Sequence, residues 1–239
     1  MKKLSLDRIL QSQGFGSRKG CRELIEDGEV TVNGETVTSW KTEFIPEGLK
    51  FTVFDEEWEY RAQVYLVLNK PSGYECSRKP SHHPPILNLF PENMEWRDVQ
   101  PVGRLDHDTT GLLLLSDDGA FIHAQSSPKR HQPKTYRATT ARPVDEALVQ
   151  SLLKGVQLID EPAPIAALSA RQLGEFEIEI VLEQGKYHQV KRMLAAAGNH
   201  CAALTRTAIG ELQLADLDLA EGEWRFLTEA ELAILQRQG

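Results

Sequence analysis

The first part of the chain shows two kinds of hydrophobic pattern. Apolar residues recur at helical spacing over residues 6–10, which predicts a short first helix. A second helix is predicted from Ser17, a favourable N-cap residue, to Gly28. Apolar and polar residues then alternate on both sides of Asn33-Gly34, the strongest short sequence signal for a hairpin turn. The chain is therefore predicted to open with two helices and a hairpin.

An acidic stretch separates this opening from the rest of the chain. A strand is predicted over residues 50–54, and residues 55–59, with the sequence D-E-E-W-E, are interpreted as a linker. We therefore expect two domains, at residues 1–60 and 61–239.

The second domain is predicted to mix strands and helices without a βαβ repeat. Residues 176–182 alternate apolar and polar, which is typical of an antiparallel sheet with one buried face. Helical periodicity predicts a helix over residues 190–197, and a capping box at residues 228–231 predicts the last helix. Further strands are predicted over residues 64–68, 112–116, 135–140, 202–205, 211–214 and 224–227, and a helix over 144–153. The expected fold class is α+β, a small helix-helix-hairpin domain followed by a mixed, largely antiparallel α/β domain.

Basic and acidic residues are concentrated in different segments of the chain. A net charge of −8 over 239 residues argues against a nucleic-acid partner, because nucleic-acid-binding domains are usually basic. However, residues 1–22 contain six basic residues and one acidic residue, whereas residues 23–60 contain two basic and eleven acidic ones. Two further basic segments, residues 120–144 and 184–210, contain no acidic residue. These segments are either chance clusters on solvated faces or local positive surfaces for a polyanion.

Several classes of protein are disfavoured by missing signals. No apolar run approaches the roughly 20 residues that a membrane span needs, and Asp7 and Arg8 interrupt what would be the apolar part of a signal peptide. The three cysteines are odd in number and far apart, which suits a reducing compartment. The sequence also lacks a P-loop, a GxGxxG and a GxSxG motif. We expect a cytoplasmic protein with no membrane partner and no disulfide framework.

Basic residues gather at the predicted second helix. Arg18, Lys19 and Arg22 lie away from its apolar face and near its N-terminus, where a phosphate can dock, although an ordinary amphipathic helix has the same pattern. The order of helix, S-R dipeptide, L-I-x-x-G and V-x-V-N-G resembles the S4 RNA-binding domain, two helices and a hairpin that grip structured RNA. The resemblance covers residues 1–60 and implies that these three cations bind RNA.

A polar loop directly precedes an apolar run in the second domain. Residues 103–119, G-R-L-D-H-D-T-T-G-L-L-L-L-S-D-D-G, place charged side chains where a scaffold can hold them rigidly. Asp106 could instead make only an Asx turn, and Asp117 and Asp118 are interpreted as part of a tight turn. The segment resembles the signature loop of the RNA pseudouridine synthase family, and the resemblance implies that Asp106 is the catalytic aspartate.

Two later segments match the same family in chain order. Lys134-Thr135-Tyr136 resembles its second motif, in which the tyrosine lies against the target base. Residues 185–193, G-K-Y-H-Q-V-K-R-M, resemble its third motif, which implies that Lys191 pairs with the catalytic aspartate. Many relatives in the wider superfamily have arginine there, and lysine cannot form the two-pronged pairing that arginine makes with a carboxylate. Together with N-K-P-S-G-Y at residues 69–74, these matches and the S4 resemblance span nearly the whole chain.

The chemistry that this resemblance implies suits these residues. Pseudouridine formation breaks the N1–C1′ bond of uridine, turns the uracil and joins its C5 to C1′. A carboxylate such as Asp106 can attack C1′ or assist elimination through the sugar, and a nearby cation such as Lys191 would favour its ionised form. The target base must first leave its stack in the RNA, which costs free energy, and stacking on Tyr136 offsets part of that cost. The other expected RNA-binding residues are Arg104, Lys129, Arg130, Lys134 and Arg192.

The form of the motifs favours one substrate within the family. Three segments look most like those of the enzymes that modify small-subunit (16S) rRNA: the third motif, the H-D-T-T-G loop, and S-P-K-R-H at residues 127–131. This resemblance implies uridine 516 as the target. The alternative is a 23S rRNA enzyme of the family, although these tend toward N-R-Q-[IV]-R-R at the third motif. We expect a monomer whose partner is rRNA, either naked or in an assembly intermediate of the small subunit.

No metal ion or organic cofactor is expected. Two groups of candidate ligands lack the spacing of zinc sites: Cys76, His82 and His83, and His188, His200 and Cys201.

Two functions of other classes stay open at this point. A noncatalytic RNA-binding or ribosome-assembly module would use Asp106 only structurally. A nucleoside or glycoside hydrolase would use Asp106 and Asp108 as an acid and base pair and would release free base.

Overall fold

Residues 2–77, 79–126 and 132–237 are described by the computed structural model and fold into two compact units. The first unit contains Met1–Val64 and Leu87–Gln100, and the second contains Tyr65–Ile86 and Pro101–Gly239. The segment Leu87–Gln100 thus belongs to the first unit, which no pattern in the sequence indicated. The division into functional domains after residue 60 stays a prediction.

The first unit is built from short helices on a small antiparallel sheet. Its described elements are β1 (Leu4–Ser5), α1 (Leu6–Ser12), α2 (Arg18–Glu26), β2 (Val30–Val32), β3 (Glu35–Thr36), β4 (Glu43–Phe44), β5 (Lys50–Val53), β6 (Glu56–Glu59) and α3 (Glu92–Trp96). The sheet has the order β3-β2-β5-β6, and β1 pairs with β4. Ser17 caps α2, since its side chain accepts a hydrogen bond from the Gly20 amide at 3.1 Å. The apolar stripe of α1 and the inward residues of β2 and β5 form one core.

The acidic segment predicted to be a linker is instead a strand. β6 pairs with β5 in antiparallel register, and a tight turn with positive φ at Phe54 and Asp55 joins them. Trp58 is half-buried and packs on the core of the unit, while the glutamates of β6 are exposed. The prediction was wrong because a strand at the edge of a sheet can carry charges on every side chain that faces water.

The second unit is built around a larger sheet. The rest of the chain adds β7 (Tyr65–Lys70), β8 (Gln100–Pro101), β9 (Thr110–Ser116), α4 (Gly119–Ser126), β10 (Lys134–Thr140), α5 (Glu146–Lys154), β11 (Ser169–Gly174), β12 (Glu177–Leu182), α6 (Gln189–Ala196), β13 (Cys201–Ile209), β14 (Leu212–Gln213), β15 (Trp224–Phe226) and α7 (Glu229–Arg237), with 3₁₀ helices at Ile86–Leu89 and Leu214–Asp216. The sheet runs β11-β12-β10-β13-β9-β7-β15, and β14 adds to β13. Neighbouring strands along this path are antiparallel except β9 and β13. The predicted α+β class is confirmed.

Local signals placed most of these elements correctly. The alternating segment at 176–182 corresponds to β12, and the helical segment at 190–197 corresponds to α6. The predicted capping box is present, since Thr228 N–H donates to Glu231 Oε2 at 2.8 Å and Glu231 N–H donates to Thr228 Oγ1 at 3.3 Å. Asp118 accepts hydrogen bonds from the first amides of α4, which agrees with its interpretation as a turn residue.

The apolar run at residues 112–115 is buried at every position because β9 is central in the sheet. Its even-numbered leucines pack with Val67 and Phe121. Across the described parts of the chain, none of the helices has the length and apolar character needed to cross a membrane.

The parallel pairing of β9 with β13 brings two distant parts of the chain together. Thr110 and Gly111 are in register with Thr205 and Arg206. A Cβ atom on Gly111 would lie 2.3 Å from the carbonyl oxygen of Arg206, and the φ angle of Gly111 is +98°. Only glycine fits this position, because any side chain would push β9 away from β13 and would strain the backbone.

Replacing Gly111 with alanine is therefore expected to lower the free energy of unfolding by about 2–4 kcal/mol, through overpacking and backbone strain. The melting temperature should fall by about 5–10 °C, measured by circular dichroism. Gly119→Ala is the matched control, because a Cβ there meets nothing within 4 Å and φ is ordinary. Equal melting of the two variants would contradict this account of Gly111.

Candidate active site

The loop before β9 carries Asp106 and is held in place by a buried lysine. Lys70, at the end of β7, is completely buried, and its Nζ donates hydrogen bonds to the carbonyl oxygens of Pro71, His107 and Thr109 at 3.0–3.1 Å. Burial lowers the pKa of Lys70. Two of these carbonyls follow Asp106 closely in the loop, so the backbone that presents its carboxylate is rigid.

The Asp106 carboxylate contacts two side chains of the third motif. Lys191 Nζ, on α6, lies 3.0 Å from Asp106 Oδ2 and 2.6 Å from Asp108 Oδ1. His188 Nε2 lies 3.2 Å from Asp106 Oδ1. His188 occupies the N-cap position of α6 in the left-handed conformation, with φ +46°. The structure thus brings Asp106 and Lys191 into direct contact.

The charges in this cluster stabilise one another. Burial lowers the pKa of Lys191, but hydrogen bonds to Asp108 and Asp106 outweigh that effect, so the pKa is raised. Burial raises the pKa of Asp108, but the hydrogen bond and charge of Lys191 outweigh it, so that pKa is lowered. At neutral pH a charged lysine therefore lies beside the Asp106 carboxylate.

Tyr136 connects this cluster to a second, more positive cavity. Asp106 and the buried Tyr136 line one recess. An adjoining cavity of about 220 Å³ shares Tyr136 with that recess, and its charged lining residues are Arg104, Lys134, Glu183, Lys186 and Arg206. Four basic residues and one acidic residue therefore surround this cavity.

Arg206 is a buried cation to which the sequence assigned no role beyond a basic segment. It is only 4% exposed, its Nε donates to the Leu112 carbonyl at 2.8 Å, and its Nη2 has no hydrogen-bond partner among the described residues. Burial, together with repulsion from Arg206, lowers the pKa of Lys134 to about 8. Cations held together at such a cost are typical of a site that binds an anion.

His188 is a second residue that sequence reasoning missed, since it was considered only as a metal ligand. Its place in the third motif, three residues before Lys191, was the available signal. His188 lies at the N-cap position and Lys191 in the first turn of α6, and both side chains reach the Asp106 carboxylate.

Arg192, another residue predicted to bind RNA in the second domain, does not line this cavity. Arg192 Nη2 pairs with Asp160 Oδ2 at 3.0 Å, and its Nη1 donates to the Tyr187 carbonyl at 3.3 Å. Lys129 and Arg130 lie outside the described residues.

The three cations of α2 differ in their surroundings. Arg18 and Arg22 donate through Nε to Oδ2 of Asp7 at 2.9 and 2.8 Å, and Asp7 is completely buried. Burial raises the pKa of Asp7, but hydrogen bonds from Ser5, Arg22 and Arg18 outweigh it and lower the pKa to about 2. Lys19 is 87% exposed. Two of the three cations are thus partly engaged by Asp7, a pairing that the sequence pattern did not predict.

Within the described residues, no group of three or more histidine, cysteine or acidic side chains is arranged to hold a metal ion. The candidate ligand His83 stacks on His107, with ring centroids 4.1 Å apart. Cys21, Cys76 and Cys201 are free thiols.

Comparison with protein families shows the family to which the chain belongs. The model of the RNA pseudouridylate synthase family matches residues 64–196, and the S4 domain model matches residues 4–42. The chain belongs to the RNA pseudouridine synthase family. The first match contains Asp106, Tyr136 and Lys191.

Relatives of the synthase match it along nearly its whole length. Ribosomal small subunit pseudouridine synthase A of Escherichia coli (strain K12) is 38% identical, over 96% of this chain and 99% of its own. The uncharacterized RNA pseudouridine synthase YtzG of Bacillus subtilis (strain 168) is 36% identical, over 97% of this chain and 98% of its own. A solved crystal structure of a pseudouridylate synthase has a TM-score of 0.68 at 36% identity and covers 97% of this chain and 99% of that chain. The family resemblance seen in the sequence is confirmed, and the chain is an isomerase acting on RNA.

Lys134 is expected to make RNA binding by the synthase sensitive to pH. Because its pKa is lowered to about 8, the side chain is charged at neutral pH and loses its charge as the pH rises through that value. Affinity for an RNA fragment, measured by fluorescence anisotropy, should fall by about 3–10-fold between about pH 7 and pH 9. Lys134→Arg stays charged and should flatten the profile, whereas Lys154→Arg, at the exposed end of α5, should not. A pH profile that Lys134→Arg leaves unchanged would contradict this role.

Proposed function

We propose that the synthase converts one uridine of 16S rRNA to pseudouridine, with Asp106 as its catalytic residue. The observation that carries the proposal is the Asp106 carboxylate within 3.2 Å of both Lys191 and His188, in a recess that Tyr136 also lines. The domain boundary after residue 60 is part of this proposal, with RNA anchoring by the S4 domain and isomerisation by the rest of the chain.

Asp106 acts at C1′ of the target nucleotide. In one route its carboxylate attacks C1′ while the N1–C1′ electron pair leaves with the uracil, and the base later displaces it through C5. In the other route Asp106 accepts a proton from the sugar as the uracil leaves, and it returns that proton when C5 bonds to C1′. In both routes C5 loses its own proton at the end and N1, which kept the electron pair of the broken bond, gains one, so the product is an isomer of the substrate.

Lys191 and His188 position and stabilise the Asp106 carboxylate. A carboxylate in a partly closed recess loses hydration, and a cation 3.0 Å away offsets that loss. Asp108 holds the other side of Lys191 and has a lowered pKa. A glycoside hydrolase needs one carboxylic acid that stays protonated, so the lowered pKa of Asp108 disfavours the hydrolase alternative.

Tyr136 and the cavity beside it receive the nucleotide after it leaves the RNA stack. Unstacking costs a few kcal/mol, and stacking on an aromatic ring returns about 1–3 kcal/mol. Arg104, Lys134 and Arg206 line the adjoining cavity and supply the positive charge that a phosphate requires. The base and its phosphate would thus lie on the two sides of Tyr136.

Two observations favour 16S rRNA as the substrate. The relative from E. coli is named for the ribosomal small subunit, and the H-D-T-T-G loop and third motif have the small-subunit form. We therefore propose uridine 516 as the target, with the S4 domain holding nearby RNA through Lys19 and the outward edges of Arg18 and Arg22.

The test incubates the protein with 16S and 23S rRNA transcripts labelled with tritium at uracil C5, with and without ribosomal proteins. Tritium release follows bonding of C5 to C1′, and reverse transcription after carbodiimide treatment maps the modified position. The expected result is release from 16S rRNA at uridine 516. Release from 23S rRNA alone would replace the proposed target with the large-subunit alternative.

A further inference from the structure

The first unit carries a groove whose chemistry is opposite to that of an RNA-binding surface. Its cavity is about 420 Å³, and its lining residues are Gly14, Phe15, Gly16, Leu24, Val53, Phe54, Glu56, Trp58, Pro91, Glu92, Asn93 and Trp96. Most of these side chains are apolar, two are acidic and none is basic. We call this feature the acidic aromatic groove.

Two large aromatic side chains at this groove are exposed to water. Phe54 is 61% exposed and Trp96 is 58% exposed. Phe54 also has a positive φ of +50°, a conformation that costs energy for a bulky residue. Exposed aromatic side chains beside an apolar cavity are typical of a surface that a partner covers.

The wall of the groove formed by the segment Leu87–Gln100 is held firmly against α1. The main chain at Asn93 approaches Gly14 so closely that a Cβ on Gly14 would lie 2.0 Å from the Asn93 carbonyl oxygen. Asn93 Nδ2 donates to the Gln13 carbonyl at 3.3 Å, and Arg97 Nη1 donates to Gln13 Oε1 at 2.8 Å. The groove is therefore preformed, and binding would not carry the entropic cost of ordering this wall.

The charge of the groove selects the class of partner. Glu56 and Glu92 line it without a basic residue among the lining side chains, so an RNA phosphate would be repelled. A second copy of this chain carries a net charge of −8, which also disfavours it as the occupant. A peptide rich in lysine and arginine complements the two glutamates, and its apolar side chains can cover Phe54 and Trp96.

The groove and the RNA-binding cations of α2 lie on different sides of that helix. Leu24 lines the groove and projects about 200° around the helix axis from Arg22, which with Arg18 faces Asp7. A partner bound in the groove would therefore leave the cations of α2 accessible to RNA.

From this combination of shape, exposure and charge, we propose that the acidic aromatic groove binds a basic, extended protein segment with apolar anchor residues. The proposal does not depend on which rRNA the synthase modifies. Because basic protein segments coat structured RNA, such a contact would let the S4 domain bind protein and RNA together in a ribonucleoprotein.

The experiment uses the full-length protein and short fluorescein-labelled peptides rich in lysine and arginine, with apolar anchors at strand or helix spacing. Fluorescence anisotropy should detect binding, and Phe54→Ala and Trp96→Ala should each weaken it by about tenfold or more. Phe176→Ala removes an aromatic side chain that is 40% exposed from the second unit and should have no effect. Glu56→Lys with Glu92→Lys should abolish binding of basic peptides and create binding of matched glutamate-rich peptides, whereas Glu43→Lys with Glu47→Lys should not.

Several outcomes would overturn the proposal. Equal peptide affinity of the wild type and Trp96→Ala would show that the peptides are attracted only by the net charge of the protein and do not bind in the groove. No binding by any peptide of the set, or quenching of Trp96 fluorescence by single-stranded RNA and not by peptides, would exclude a basic protein segment as the occupant. A doubled mass in light scattering that Trp96→Ala abolishes would assign the groove to a second copy of the chain.

Discussion

Replacing Asp106 with asparagine is expected to abolish pseudouridine formation and to leave RNA affinity nearly unchanged. The amide has almost the same size as the carboxylate, but it has no negative charge and cannot attack C1′ or accept a proton from the sugar. Turnover should therefore fall by about 10⁴-fold or more. Tritium release from C5-labelled 16S transcript measures the turnover, and fluorescence anisotropy measures the affinity.

The matched control for this substitution is Asp216→Asn, on an exposed 3₁₀ turn of the second unit. It makes the same chemical change far from the motifs and should keep wild-type turnover. An Asp106→Asn protein that binds RNA and turns over within about tenfold of the wild type would be incompatible with a catalytic Asp106.

Replacing Lys191 with methionine is expected to reduce kcat by about 10²–10³-fold, because it removes the cation that lies 3.0 Å from Asp106. It also leaves Asp106 and Asp108 close together without the charge that both share. The defect should appear in kcat and not in the RNA dissociation constant, since Lys191 contacts the carboxylate of Asp106, the proposed catalytic residue.

Lys191→Arg distinguishes a charge requirement from a general loss of structure. Arginine keeps the positive charge and pairs well with carboxylates, so it should recover much of the lost turnover. Lys154→Met, at the exposed end of α5, is the control for removing a lysine and should behave as the wild type. A methionine variant that melts normally and keeps full kcat would remove Lys191 from the mechanism.

Local patterns were sufficient for most elements of the second unit. β12 and α6 were predicted because alternation of period two and apolar spacing of three and four residues depend only on nearby residues. The acidic strand β6 was not predicted, because its outward face is in water and its composition is that of a loop. The inclusion of Leu87–Gln100 in the first unit was also missed, because it depends on contacts with distant residues such as Gln13.

The candidate site likewise contains residues that were predicted from the sequence and residues that were not. Asp106, Tyr136 and Lys191 were predicted from motifs, since each lies in a short segment with a characteristic spacing. His188 lies within the third motif and Arg206 lies beyond its end, and the sequence assigned neither of them a role in the site. The role of Lys70 as a support for the Asp106 loop was likewise invisible, because its partners are backbone oxygens 37 and 39 residues away.

The amino-acid sequence by itself determined most of the helices and strands, the family and the chemical types present at the site. The pairing of Lys191 with Asp106 was predicted from the third motif, but only the tertiary structure decided which other charges meet there. The packing of α6 places His188 against Asp106 and Lys191 against Asp108, and the parallel pairing of β9 with β13 places Arg206 beside Gly111. Electrostatic interactions depend on distance and burial, which packing sets and sequence spacing does not.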